Sequence, residues 1–130
     1  MEAMKIFLVD SNERFRANLR LYIEGYLHHK VVGEASDESG VNGCKDLFAD
    51  IILVNIDKSI LLSAHKGINH SEFLGCKKIA MSQRREIIDT HVLIEAGYKG
   101  FVSTEYIHRD LENAINAVVF GKLFYPSLVE

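Results

Sequence analysis

Apolar residues fall along this chain in short unbroken runs, separated by longer stretches in which they recur every three or four positions. The first run, Ile6-Phe7-Leu8-Val9, stops at Asp10. The most apolar one, Ile51-Ile52-Leu53-Val54, stops at Asn55, and Ile79-Ala80-Met81 stops at Ser82. Runs of this length bounded by polar residues predict strands buried on both faces, as in a parallel sheet. Shorter runs predict two more. The five expected strands cover about 5–10, 31–35, 50–55, 78–82 and 100–104.

Between them the period changes to that of a helix. Phe15, Leu19, Tyr22, Ile23 and Tyr26 form one apolar stripe, which Ser11 or Asn12 can cap. Val41, Cys44, Leu47 and Phe48 predict a second helix, weakened by Gly40 and Gly43. A third is expected over 85–96, with Gly97 closing it in the left-handed conformation. The last, about 107–120, carries Leu111, Ala114, Ile115, Val118 and Val119 and stops at Gly121. Residues 56–76 have no clean period, and a tail follows over 121–130. Five strand–helix alternations predict an α/β three-layer sandwich with a parallel sheet. In a chain of 130 residues this means one flavodoxin-like (βα)5 domain, strand order 2-1-3-4-5.

Composition narrows the function by exclusion. A formal charge of -3 gives no electrostatic case for direct nucleic-acid contact. No apolar run approaches the ~18 residues of a membrane span. Met1-Glu2-Ala3-Met4 leads straight into a strand pattern, so no signal peptide is expected and the location expected is cytoplasmic. Cys44 and Cys76 form no spacing motif, and His65, His70, His91 and His108 have no ligand spacing with a third donor. Asp10-Ser11-Asn12-Glu13 is not a Gly-rich phosphate loop, which argues against a nucleotide enzyme or flavin carrier. No enzyme activity and no cofactor are expected.

Particular segments resemble a known family. Leu8-Val9-Asp10-Ser11-Asn12, Val32-Gly33-Glu34-Ala35-Ser36-Asp37, Glu95-Ala96-Gly97-Tyr98-Lys99-Gly100-Phe101-Val102, and Ala114-Ile115 through Gly121 to Tyr125-Pro126-Ser127 are similar to receiver domains of bacterial two-component response regulators. The subgroup is the one that precedes LuxR-type DNA-binding domains. The resemblance covers nearly the whole chain. It implies phosphorelay signal transduction and transcription regulation, with phosphoryl transfer to an aspartate beside Mg²⁺, stabilised by surrounding charge.

Carried over residue by residue, that chemistry is incomplete. The acid pair after strand 1 becomes Asp10 and Ser11. The acceptor position is Asn55, the hydroxyl position is Ser82, and the lysine position is Thr104, followed by Glu105. The aromatic switch position is Phe101, which can equally be core. The resemblance therefore implies a vestigial site and a phosphorylation-independent pseudo-receiver. Mg²⁺ is expected only if the site is competent, with Asp10 as a weak ligand; Asp10 reads equally as a helix-start acid. The alternative makes Asp57 the phosphoacceptor, since it lies two residues past Asn55 and on the same face of an extended strand. A histidine kinase is a partner only under that alternative. Otherwise the expected partner is another protein or a second copy. The candidate surface is the first and last helices, where Tyr22, Tyr26, Val118, Phe120 and Phe124 offer more apolar area than their packing needs.

Overall fold

The structure, a computed structural model, describes residues 2–37, 48–56, 76–83 and 90–126. Five strands, β1 (Lys5–Val9), β2 (Lys30–Ala35), β3 (Ile51–Asn55), β4 (Lys77–Ser82) and β5 (Tyr98–Ser103), form one sheet in the order β2-β1-β3-β4-β5. Every pairing is parallel. This is the expected flavodoxin-like arrangement. The described helices are α1 (Glu13–Gly25), α2 (Thr90–Glu95) and α3 (Ile107–Val119). Residues 41–47 of the second expected helix and the segment 57–75 lie outside the described residues; Phe48, expected on that helix's apolar side, is exposed.

The period of two along each strand sorts the core into two layers. Ile6, Leu8, Ile51, Leu53, Ile79, Met81 and Val102 pack with Leu19 and Ile23 of α1 and with Leu111, Ala114, Ile115 and Val118 of α3. Phe7, Val9, Ile52, Val54, Ala80 and Phe101 face the other side, with Leu93 of α2. Each central strand is thus apolar on both faces, which is why its sequence is unbroken rather than alternating.

The helix ends follow local chemistry. Asn12 caps α1 by accepting the Phe15 N–H at 2.9 Å. Gly97 after α2 and Gly121 after α3 have φ of 89° and 81°, as their positions predicted. Gly121 N–H donates to Val118 O and Lys122 N–H to Ala117 O, the pair of bonds that closes a helix on a left-handed glycine.

Two adjacent lysines at the start of β4 reach opposite faces. Lys78, 4% exposed, donates from Nζ to Ala96 O at 2.8 Å, at the end of α2, and its ammonium lies 4.4 Å from the centre of the Tyr98 ring. Lys77 donates to Val118 O at 2.8 Å, at the end of α3. Each cation meets the negative end of a helix.

Beyond α3 the chain returns along the edge of β5. Phe101 N–H donates to Phe124 O and Phe124 N–H to Lys99 O, both at 2.9 Å, and Tyr125 Oη donates to Tyr98 O at 2.6 Å. A Cβ at Gly100 would stand 3.1 Å from Phe124 O, so the bare backbone there permits the close approach.

Three expectations are corrected. Tyr26 was placed both in the packing stripe of α1 and among its spare apolar surface; it does not pack on the sheet but is 70% exposed, stacked on Tyr22 with ring centroids 5.3 Å apart, because it lies past the last turn of α1. Val118 was offered as spare surface; it is 1% exposed and faces the sheet. Thr104 was placed at the end of strand 5; β5 ends at Ser103, and Thr104 opens a 3-10 turn, Thr104–Tyr106, because the Ser103 Oγ accepts the Glu105 N–H at 3.3 Å and turns the chain.

Candidate functional site at the carboxyl edge of the sheet

In an open parallel sheet, sites form where the central strands end. β1 and β3 are neighbours here, and their ends deliver Asp10 and Asn55 side by side. Asn55 Nδ2 donates to Asp10 Oδ2 at 2.7 Å. The other carboxylate oxygen, Oδ1, accepts the Asn12 N–H at 2.8 Å, and Arg16 Nη1 donates to the Asp10 carbonyl oxygen. The Asp10 N–H in turn donates to Ala35 O at 3.0 Å, at the end of β2. Asp10 is 3% exposed. A buried carboxylate needs donors or a counter-charge. Here it has two N–H donors, one of them at the N-terminus of α1, where the helix dipole favours negative charge.

Arg16 links this acid to the next layer of charge. Its Nε lies 3.1 Å from Glu34 Oε1, and Arg20 Nη1 lies 3.1 Å from Glu34 Oε2. Glu24 holds Arg20 at 3.3 Å and accepts the Val31 N–H at 3.1 Å. That backbone bond, with the arginine beside it, holds the Glu24 carboxyl below its ordinary pKa. A shallow groove runs along this ladder beside α1, lined by Arg16, Arg20, Leu21, Glu24 and Glu34. Both arginines already face acids, so it is no anion cradle.

Ser82, 5% exposed, ends β4, and in the ladder it stands opposite Ser103 at the end of β5. Thr104 follows Ser103 and is half-buried. Asp10, Asn55, Ser82 and Thr104 thus share one edge, and of these Asp10 and Asn55 are in direct hydrogen-bond contact. Ser11 is exposed on the bend between β1 and α1. Phe101 is 3% exposed and packed in the second core layer. Asp57 lies outside the described residues.

Among the described residues the donor set does not fit Mg²⁺, which takes anionic and water oxygens in near-octahedral geometry. Of Asp10, Asn55, Ser82 and Thr104, Asp10 alone carries a carboxylate, and its Oδ2 already accepts an amide N–H. No group of three or more His, Cys, Asp or Glu among the described residues could hold a metal ion.

Sequence reasoning missed Arg16 and Glu34. The available signal was that Arg16 and Arg20 stand four residues apart on the helix that directly follows Asp10.

No family model matches the chain. It is 28% identical over 127 residues to the response regulator UvrY of Escherichia coli K12, a match covering 95% of this chain and 58% of UvrY; UvrY of Shigella flexneri matches equally. The chain therefore spans little more than half the length of these relatives. Among solved structures, the isolated receiver domain of RcsB from Salmonella enterica serovar Typhimurium in the apo form superimposes with a TM-score of 0.79 at 20% identity, covering 95% of this chain and 93% of that one. The receiver domain of NarL from Mycobacterium tuberculosis gives 0.75 at 17% identity, covering 94% and 100%. A chain from a structure of two RcsB dimers bound to two parallel DNAs gives 0.76 at 19% identity, covering 97% and 65%. No described helix is long and apolar enough to cross a membrane. The chain is similar in sequence to the response regulator UvrY and shares its fold with the receiver domains of RcsB and NarL.

Proposed function

We propose that this domain is a pseudo-receiver, a cytoplasmic signalling module that binds a protein partner or a second copy of itself without accepting a phosphoryl group. Its setting is the receiver position of a LuxR-type transcriptional regulator. The observation that carries the reading is the 2.7 Å bond from the Asn55 amide to Asp10. Where the resemblance puts a nucleophilic carboxylate there is an amide, and that amide is engaged with the Asp10 carboxylate. Thr104 offers a hydroxyl where the resemblance puts an ammonium, so a transferred phosphoryl group would lack the positive charge that stabilises it. The likeness to RcsB, described as dimers on DNA, supports the regulator setting and pairing with a second copy.

Incubation with acetyl phosphate and Mg²⁺ followed by intact-mass measurement tests the reading. The wild type should gain no species heavier by about 80 Da, the mass of one phosphoryl group. Asn55→Asp alone should restore little. Asn55→Asp, Ser11→Asp and Thr104→Lys together should restore more than the sum of the single changes, because such residues act as a unit. A phosphorylated wild type would overturn the proposal, and mapping of the group to Asp57 would establish that residue as the acceptor.

A further inference from the structure

We infer that Asn55 takes the place of a divalent cation: its amide N–H holds the Asp10 carboxylate where a receiver of ordinary chemistry would use a metal. This deepens the pseudo-receiver reading and rests on it.

Asp10 is an acceptor with its oxygens accounted for. Oδ1 has the Asn12 N–H, Oδ2 has Asn55 Nδ2, and the carbonyl oxygen has Arg16. The guanidinium nearest to it is spent on that carbonyl and on Glu34 rather than on the carboxylate. Because a carboxylate only accepts, the Asn55 side chain must present its NH2 group, which fixes the orientation of the amide. Charge on Asp10 is therefore met by two fixed N–H dipoles. An acid at position 55 would bring a second anionic oxygen to about the same 2.7 Å separation, an arrangement that requires a cation or a shared proton. A single amide thus separates a domain indifferent to metal from one that metal stabilises.

The test is thermal unfolding of the whole chain in EDTA and in millimolar Mg²⁺, with ionic strength matched by NaCl so that general screening cancels. Three proteins are compared: wild type, Asn55→Asp, and the exchange Asp10→Asn with Asn55→Asp. In the exchange the amide introduced at position 10 can still accept the Asn12 N–H and can donate to the acid across from it. Wild type and exchange should melt at the same temperature with and without Mg²⁺. Asn55→Asp should melt lower in EDTA by about 5 °C or more and regain most of that loss in Mg²⁺. A wild type that gains as many degrees from Mg²⁺ as Asn55→Asp overturns the inference. So does an Asn55→Asp protein as stable as wild type in EDTA. Should Asn55→Asp fail to fold in EDTA, a folded, Mg²⁺-indifferent exchange variant supports the inference, and an unfolded one refutes it. Phosphoryl gain by the wild type is a separate readout: it would remove the pseudo-receiver reading without altering these melting curves.

Discussion

Replacing Lys78 with methionine tests how the sheet holds its helices. Lys78 crosses the core as an apolar stem and delivers its ammonium to Ala96 O at 2.8 Å, beside the face of Tyr98. Methionine keeps the stem and removes the charge. A hydrogen bond from a charged donor contributes about 1.5–3 kcal/mol, and the carbonyl left behind at a residue 5% exposed costs about 1–3 kcal/mol if unsatisfied. The ring contact adds about 0.5–2 kcal/mol. Against these stands the relief of no longer burying an ammonium, which is several kcal/mol. The opposing terms leave an expected net loss of about 2 kcal/mol. Lys77→Met is the internal control. Its acceptor, Val118 O, also receives the Gly121 N–H at 3.0 Å and stays satisfied, so the cost should be below about 1 kcal/mol. With an unfolding entropy of about 2.1 cal/mol/K per residue over this length, 2 kcal/mol lowers Tm by roughly 7 °C. Circular dichroism melts of the two variants and the wild type read this directly. A Lys78→Met protein within about 0.5 kcal/mol of wild type, or one more stable than Lys77→Met, would refute the reasoning, because burial and the state of the acceptor would then not set the cost.

Two further predictions use other contacts. His29 is buried, and its Nδ1 accepts the Met4 N–H at 3.0 Å; burial holds its pKa below the ordinary 6.5, against the opposing pull of Glu112. A protonated ring cannot accept that bond, and a depressed pKa means the unfolded chain takes the proton first. Its share of stability is therefore full above about pH 6.5 and lost as pH falls through the folded value. Urea titrations of wild type and His29→Gln from pH 7.5 to 5 should show a smaller acid loss in the variant, and parallel curves would contradict the assignment. Tyr125→Phe removes the 2.6 Å bond to Tyr98 O and should cost about 1 kcal/mol, with amide exchange at Phe101 and Phe124 accelerated; unchanged exchange at both would show that the strap is held by its backbone bonds alone.

Much of the fold is written in local pattern. The runs ending at Asp10, Asn55 and Ser82 are apolar on both faces, and only a layer of helices on each side of a sheet removes both faces from water. Gly97 and Gly121 stand where helices must turn into the left-handed region, a demand of the backbone that needs no partner. The sequence thus determined a doubly wound sheet, its strands nearly to the residue, and an edge bearing an acid, an amide and hydroxyls. It did not determine which groups meet. Tyr26 reads as core by spacing, yet α1 ends before its turn reaches the sheet. Lys78 opens the expected fourth strand and Lys77 precedes it, and only the two helix ends on opposite faces give each a carbonyl. Thr104 reads as the end of β5, and a single Ser103 hydroxyl bond turns the chain one residue earlier. Asn55 by type alone says that an acid is missing; its meeting with Asp10, 45 residues away, follows from β1 and β3 lying side by side. Periodicity is set by each segment's own burial. Contacts between segments depend on strand order and register, which no single segment encodes.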